Sequence, residues 1–412
     1  MTNSKPVNIL LVGTLDTKGA EYAYARDIIR SRGLNPILMD AGVMGHPQCE
    51  PDISAGEIAK AGGEDILALR ERGSRSYALE LLTRGAVTLA RNMSPQLAGV
   101  LALGGSGGTA VGTAVMRALP VGLPKVMVST LASGDVAPYI GESDIAMMYS
   151  VADIAGLNRI SRVIIKNAAD AVCGMAAHKL PEHGDERPLI AATMFGVTTP
   201  CVTRLRERLE RSGFEVVVFH ATGSGGRAME KLVADGFFEG IADVTTTEWC
   251  DEVVGGVLSA GPQRLEAAIA AGIPQVVSCG ALDMVNYWAL ETVPEAFRER
   301  TLHPHNANVT LMRTSPDECA RIGKEIGTRL SRARAPVTLM IPLTGISMLD
   351  APGEIFFAPE SNRALFASLH ANCTSTVTVK EYDLHINDPE FADAISDELI
   401  HNLQWKKLAS AL

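Results

Sequence analysis

The chain has 412 residues, of which 47% are hydrophobic and 5% aromatic, with 38 glycines. That length exceeds what one hydrophobic core usually serves, so two domains are expected, and the few rings disfavour base-stacking platforms and ring-lined carbohydrate clefts. A formal net charge of -10 argues against a nucleic-acid surface.

Residues 1–6 lead straight into the apolar run 7–12, without a basic stretch or a signal-length apolar segment. No apolar run reaches membrane-spanning length. The seven cysteines contain no Cys-x-x-Cys pair, so they read as reduced, mostly buried small hydrophobes. A cytoplasmic protein is expected.

In chain order, the pattern predicts a strand over 7–12, a loop over 13–19, a helix over 21–32 stopped by Gly33, and a strand over 35–39. Residues 53–92 are mostly helical and carry Arg70, Arg72, Arg75, Arg84 and Arg91. A strand over 97–103 ends in Gly104-Gly105-Ser106-Gly107-Gly108-Thr109, a helix follows, and a strand over 125–130 runs into Ser133-Gly134-Asp135. Residues 143–158 are mixed in character, and 159–177 are helical. The Pro-, Gly- and charge-rich stretch 180–188 is the linker candidate, which places the domains at 1–183 and 184–412.

The pattern then begins again. A strand over 189–193, a loop, a helix over 200–211, a stop at Gly213 and a strand over 215–219 repeat the first unit in register, with Gly33 on Gly213 and Asp40 on His220. Further strands are expected over 240–244, 275–278, 308–312, 338–341 and 376–382, with helices over 227–235, 263–271, 316–333 and 389–403. The fold class is α/β: two Rossmann-like three-layer domains with mainly parallel sheets and an interdomain cleft.

A glycine-rich turn between strand and helix aims several backbone N–H groups at one point, where the helix dipole adds positive charge. Two such turns occur, at 104–109 and at Gly223-Ser224-Gly225-Gly226-Arg227. Neither is a Walker A loop, because Gly108 is followed by Thr109 rather than lysine, and the acidic residue that the dinucleotide fingerprint needs after the next strand is absent around 125–130. Thr14, Asp16, Thr17 and Lys18 offer a further inventory: phosphate contacts from Thr14, Thr17 and Lys18, and a magnesium or ribose ligand in Asp16. Read as purely structural residues, Asp16 caps a turn, Thr17 caps a helix and Lys18 is solvated. Asp135 is a second metal or ribose candidate, or an ordinary loop cap. In the second half, His220 stands after a strand as a titratable group, Arg227 complements the glycine turn, and Glu248 and Asp283 follow strand ends as candidate base or ligand. His303 and His305 lack a defined third ligand for zinc, and no nucleophile elbow supports a serine triad.

The segments 13–19, 104–109 and Tyr149-Ser150-Val151-Ala152-Asp153-Ile154-Ala155-Gly156-Leu157-Asn158, with 220–226 and Gly280-Ala281-Leu282-Asp283, resemble the Tm-1-like ATP-binding family, UPF0261, along nearly the whole chain. The resemblance implies ATP binding by the first half and a homodimer. It places nucleotide at Gly13, Thr14, Asp16 and Lys18 and at Gly105, Ser106, Gly107, Gly108 and Thr109. The expectation is therefore an ATP- and Mg2+-dependent enzyme acting on an unknown small anionic substrate by phosphoryl transfer or ATP-dependent activation, with no nucleic-acid or membrane partner. The alternatives are a non-enzymatic, nucleotide-gated binding protein and a site for a sugar phosphate or nicotinamide nucleotide.

Overall fold

Apolar runs bounded by glycine and small polar residues become the strands of two parallel sheets, one in each of the compact units Met1–Glu182 and His183–Leu412. The computed structural model describes residues 7–43, 45–177 and 187–409, so the expected linker lies outside the described residues except at Arg187 and Pro188.

The first unit contains β1 (Asn8–Gly13), β2 (Asn35–Asp40), β3 (Leu97–Gly104), β4 (Lys125–Ser129) and β5 (Ala146–Tyr149), all parallel, in the order β2-β1-β3-β4-β5. Strand side chains alternate between two cores. Leu10, Val12, Val100 and Ala102 pack with helices Ala55–Gly62, Arg75–Met93 and Ser106–Arg117, whereas Ile9, Leu11, Leu101 and Leu103 pack with helices Leu15–Ser31 and Arg159–Ala177. Burial on both faces is why β1 and β3 read as continuous apolar runs.

One local expectation is corrected. Residues 13–19 are not a loop: the helix begins at Leu15, and Lys18 departs from helical geometry at φ -130° and ψ 23°. Gly19 follows because a Cβ there would lie 2.7 Å from the Gln48 Cβ.

The second unit contains β6 (Leu189–Met194), β7 (Glu215–His220), β8 (Gly240–Thr245), β9 (Gln275–Gly280), β10 (Met284–Tyr287), β11 (Leu302–Asn306), β12 (Val309–Arg313), β13 (Val337–Pro342) and β14 (Val377–Tyr382). Its parallel sheet runs β7-β6-β8-β9-β13-β14, the order of the first unit with a sixth strand added. Asp40 and His220 end the corresponding second strands. β10, β11 and β12 form a separate antiparallel sheet. That sheet was not expected: β10 has only four residues, all buried, so it shows no alternation, and β11 carries His303, Pro304 and His305. Helix Pro359–Asn372 was also missed, behind the Pro- and Gly-rich stretch 342–358.

In both sheets the order reverses beside the first strand. Open α/β sheets place ligands at that reversal, outside the carboxyl ends of the strands. The positions are β1/β3 and β6/β8.

Candidate functional site

At the β1/β3 reversal lies a cavity of about 310 Å³. One wall is the start of helix Ser106–Arg117, whose N-cap, Gly105, supplies no side-chain acceptor. Among the described residues the N–H groups of Ser106, Gly107 and Gly108 have no acceptor, as expected for an uncapped first turn. Three parallel donors and the positive end of the dipole therefore face the cavity. The turn is tight enough that a Cβ on Gly104 would lie 2.7 Å from the Gly108 Cα, whereas one on Gly107 would have as its nearest neighbour the Leu79 side chain, at 3.8 Å.

The opposite wall comes from the end of β1 and the first turn of the helix after it. The Thr14 and Thr17 hydroxyls share a hydrogen bond of 2.8 Å, and the Asp16 carboxylate accepts the Gly45 N–H at 3.2 Å. Lys18 lines the cavity, and its ammonium donates to the Ile154 carbonyl. Arg75, exposed and without a side-chain partner among the described residues, adds a second cation, while Ala41, Val43, Leu79 and Leu82 make an apolar side. Beneath them, burial raises the pKa of Asp40, against the N–H bonds it accepts from Gly42 and Leu15.

The structure thus brings together Thr14, Asp16, Lys18, Gly105, Ser106, Gly107 and Gly108. Three other expected contributors stand elsewhere. Gly13 makes room for Tyr22, whose hydroxyl oxygen would lie 2.0 Å from a Cβ at that position. That hydroxyl accepts the Leu103 N–H and so ties the helix to β3. Thr109 is buried, and its hydroxyl shares a 2.7 Å hydrogen bond with Ser129. Asp135 is exposed and caps the Ala137 N–H at 3.0 Å; it does not line the cavity that Asp16 lines. Among the described residues no group of three or more His, Cys, Asp or Glu is placed to hold a metal, and His303 and His305 are no exception. Sequence reasoning gave Arg75 no role, because it was one of five arginines on a helical stretch.

The second glycine turn, read above as able to offer its N–H groups to an anion, differs from the first. Its cradle is already filled: the Glu248 carboxylate accepts the N–H groups of Gly223 at 2.7 Å and Gly226 at 3.1 Å. Glu248 is 1% exposed and ion-paired to Arg264 at 2.7 Å, which removes it as a general base. Arg264 also makes a bidentate pair with Asp243, at 2.6 and 2.7 Å, and meets Glu230 at 3.2 Å. Burial lowers the Arg264 pKa, but Asp243 and Glu248 outweigh it and hold the guanidinium charged. His220 is exposed and stacks on Phe195, and Arg227 donates to the Ser259 carbonyl. Asp283 is fully buried and accepts the Ser347 hydroxyl at 2.7 Å.

Burial pushes the Asp283 carboxyl well above the usual carboxylate range and Asp251 up to about 7. Folded molecules therefore keep protons that unfolded ones lose near pH 4, so these groups favour the fold at low pH and withdraw that support as pH rises toward 7. Denaturant midpoints measured between about pH 5 and pH 8 are expected to fall with rising pH, and Asp283→Asn is expected to flatten the slope. An unchanged slope in that variant would remove Asp283 as a source.

Together these features define a protein of two Rossmann-like α/β units, with an open, cation-flanked cavity at the sheet reversal of the first. Among the described residues no helix is long and apolar enough to cross a membrane. The chain belongs to the UPF0261 family: residues 7–181 match its N-terminal domain and residues 187–403 its C-terminal domain, both described as an uncharacterised protein family. A UPF0261 protein of Clostridium tetani is 52% identical, covering 96% of this chain and 99% of that one. The ToMV susceptible protein tm-1(GCR26) of Solanum lycopersicum is 39% identical over 96% of this chain, which spans 56% of the tomato protein. A solved UDP-N-acetylglucosamine 2-epimerase covers 98% of both chains at 11% identity, but its TM-score of 0.23 carries no argument.

Proposed function

We propose that the first unit binds ATP with Mg2+ in the β1/β3 cavity, and that the protein is an enzyme acting on a small anionic substrate by phosphoryl transfer or ATP-dependent activation. The observation that carries this reading is the set of unfilled N–H groups of Ser106, Gly107 and Gly108, which face the same cavity as Lys18 and Arg75. The phosphates fit against these donors and the Thr14 hydroxyl, and the base against Ala41, Val43, Leu79 and Leu82. Asp16 fits as a magnesium ligand, since this ion is commonly held by one or two carboxylates together with phosphate oxygens. When bound, the nucleotide supplies an activated phosphoryl group. The chain's own part is to orient it and to stabilise charge on its oxygens through Lys18, Arg75 and the helix start. The homodimer and the cytoplasmic setting belong to the same reading.

The non-enzymatic alternative is favoured by one observation: among the described residues the cavity lining offers a single carboxylate, Asp16, and no histidine or cysteine as a base or nucleophile. Calorimetric titration of the purified protein with ATP and Mg2+ is expected to show saturable binding, competed by inorganic triphosphate. No binding at millimolar ATP would end the reading. Binding without turnover across a panel of anionic metabolites, together with ATP-dependent dimerisation, would move it to the gated alternative.

A further inference from the structure

Residues 150–158, between β5 and helix Arg159–Ala177, form a strap laid against helix Leu15–Ser31. Its ends are fixed: the Ser150 N–H bonds to the Ser129 carbonyl at 3.1 Å, and the Asn158 side chain accepts the N–H groups of Ile160 and Ser161. Between them the Ile154 side chain is 2% exposed in the core. Two polar contacts from the helix hold the strap's middle. The Lys18 ammonium donates to the Ile154 carbonyl, and the Glu21 carboxylate accepts the Gly156 N–H at 2.6 Å. Val151 has φ +62°, a left-handed conformation that a β-branched side chain adopts only under constraint.

Lys18 therefore has two duties. The residue lines the cavity, yet the hydrogen bond of its ammonium is spent on a neutral carbonyl of the strap. Its backbone sits at the break in the helix, at φ -130° and ψ 23°, with its N–H still bonded to the Thr14 carbonyl at 2.9 Å. A bond from an ammonium to a phosphate oxygen is charge-assisted on both sides and roughly twice as strong as one between neutral groups. The flexible four-carbon stem lets lysine exchange acceptors.

We propose that Lys18 is a ligand-controlled latch: with the cavity empty it holds the strap through Ile154, and a polyphosphate entering the cavity draws the ammonium away and loosens residues 151–155. This rests on the nucleotide reading above and adds its regulation. Loosening frees the strained Val151, which is 62% exposed and close in sequence to the exposed Tyr149. Nucleotide occupancy is thereby written onto a segment outside the cavity lining.

The test is hydrogen exchange of peptides covering 150–158 in the full chain, with ATP binding measured calorimetrically in the same samples. In the wild type, ATP with Mg2+, and inorganic triphosphate alone, are expected to speed strap exchange about ten- to a hundredfold, the range set by losing one hydrogen bond to a charged group. Lys18→Met is expected to exchange fast without ligand and to ignore it, while a β3 control peptide stays protected. Binding with unchanged strap exchange overturns the latch and leaves the nucleotide reading standing. Absence of binding by either polyphosphate overturns both. A Lys18→Met strap as slow as the wild type overturns the latch, and if that variant loses β3 protection the wild-type comparison decides alone.

Discussion

Arg264→Met is expected to destabilise the fold by about 3–5 kcal/mol, the usual range for removing one partner from a buried ion pair. The guanidinium is 1% exposed and serves three carboxylates, with Asp243 and Glu248 buried as deeply as itself. Each carboxylate has further bonds that fix its position: Asp243 accepts the Thr193 hydroxyl, Glu248 the Gly223 and Gly226 N–H groups, and Glu230 the Leu265 and Ala267 N–H groups. Methionine roughly preserves the stem volume, so the loss reports charge rather than a cavity. What remains is a cluster of buried acids that must be protonated or hydrated. Arg264→Lys is expected to recover only part of the loss, because a point charge cannot make the bidentate pair and reach Glu248 as well. Urea midpoints decide it, and a loss below about 1 kcal/mol would show that the cluster relaxes to solvent.

Gly107→Asp is expected to weaken ATP binding about a hundredfold or more while leaving the fold intact, because a carboxylate placed there competes for charge-assisted bonds of the kind that phosphate would make. The site has room, since the nearest neighbour of a new Cβ is Leu79 at 3.8 Å. An acidic residue in the first turn also suits the helix dipole, by about 0.3–1 kcal/mol. Lost affinity therefore cannot be read as unfolding. Glu248 shows the effect within the same molecule: a carboxylate held by two N–H groups closes the second glycine turn. Gly107→Ala adds bulk without charge and is expected to bind nearly as the wild type does. Wild-type affinity in Gly107→Asp would take the helix start out of the binding site.

Much of the architecture was legible because it is written locally. The runs 9–12 in β1 and 97–103 in β3 are unbroken and apolar, which is what central parallel strands buried on both faces require. Gly33 and Gly213, both with positive φ, stop their helices where the pattern placed them. The cavity residues Thr14, Asp16, Lys18 and Gly105 to Gly108 were legible for the same reason, since strand ends and helix starts are local signals. The antiparallel sheet was not, because β10 and β11 are defined by pairing to β12 rather than by their own pattern.

The sequence by itself determined two recurring strand–helix units and two glycine turns able to offer N–H groups to an anion. Only the tertiary structure decided which turn is open. The turns follow different strands of the recurring order, β3 in one unit and β7, the second strand, in the other. In the second unit a carboxylate from beyond the next strand, Glu248, folds back into the turn and is neutralised there by Arg264. In the first, the Thr109 hydroxyl is turned inward to Ser129, and Ser106, Gly107 and Gly108 keep their N–H donors. A helix start's affinity for anions is a local property, but whether the protein has already supplied the anion depends on residues that only the fold brings near.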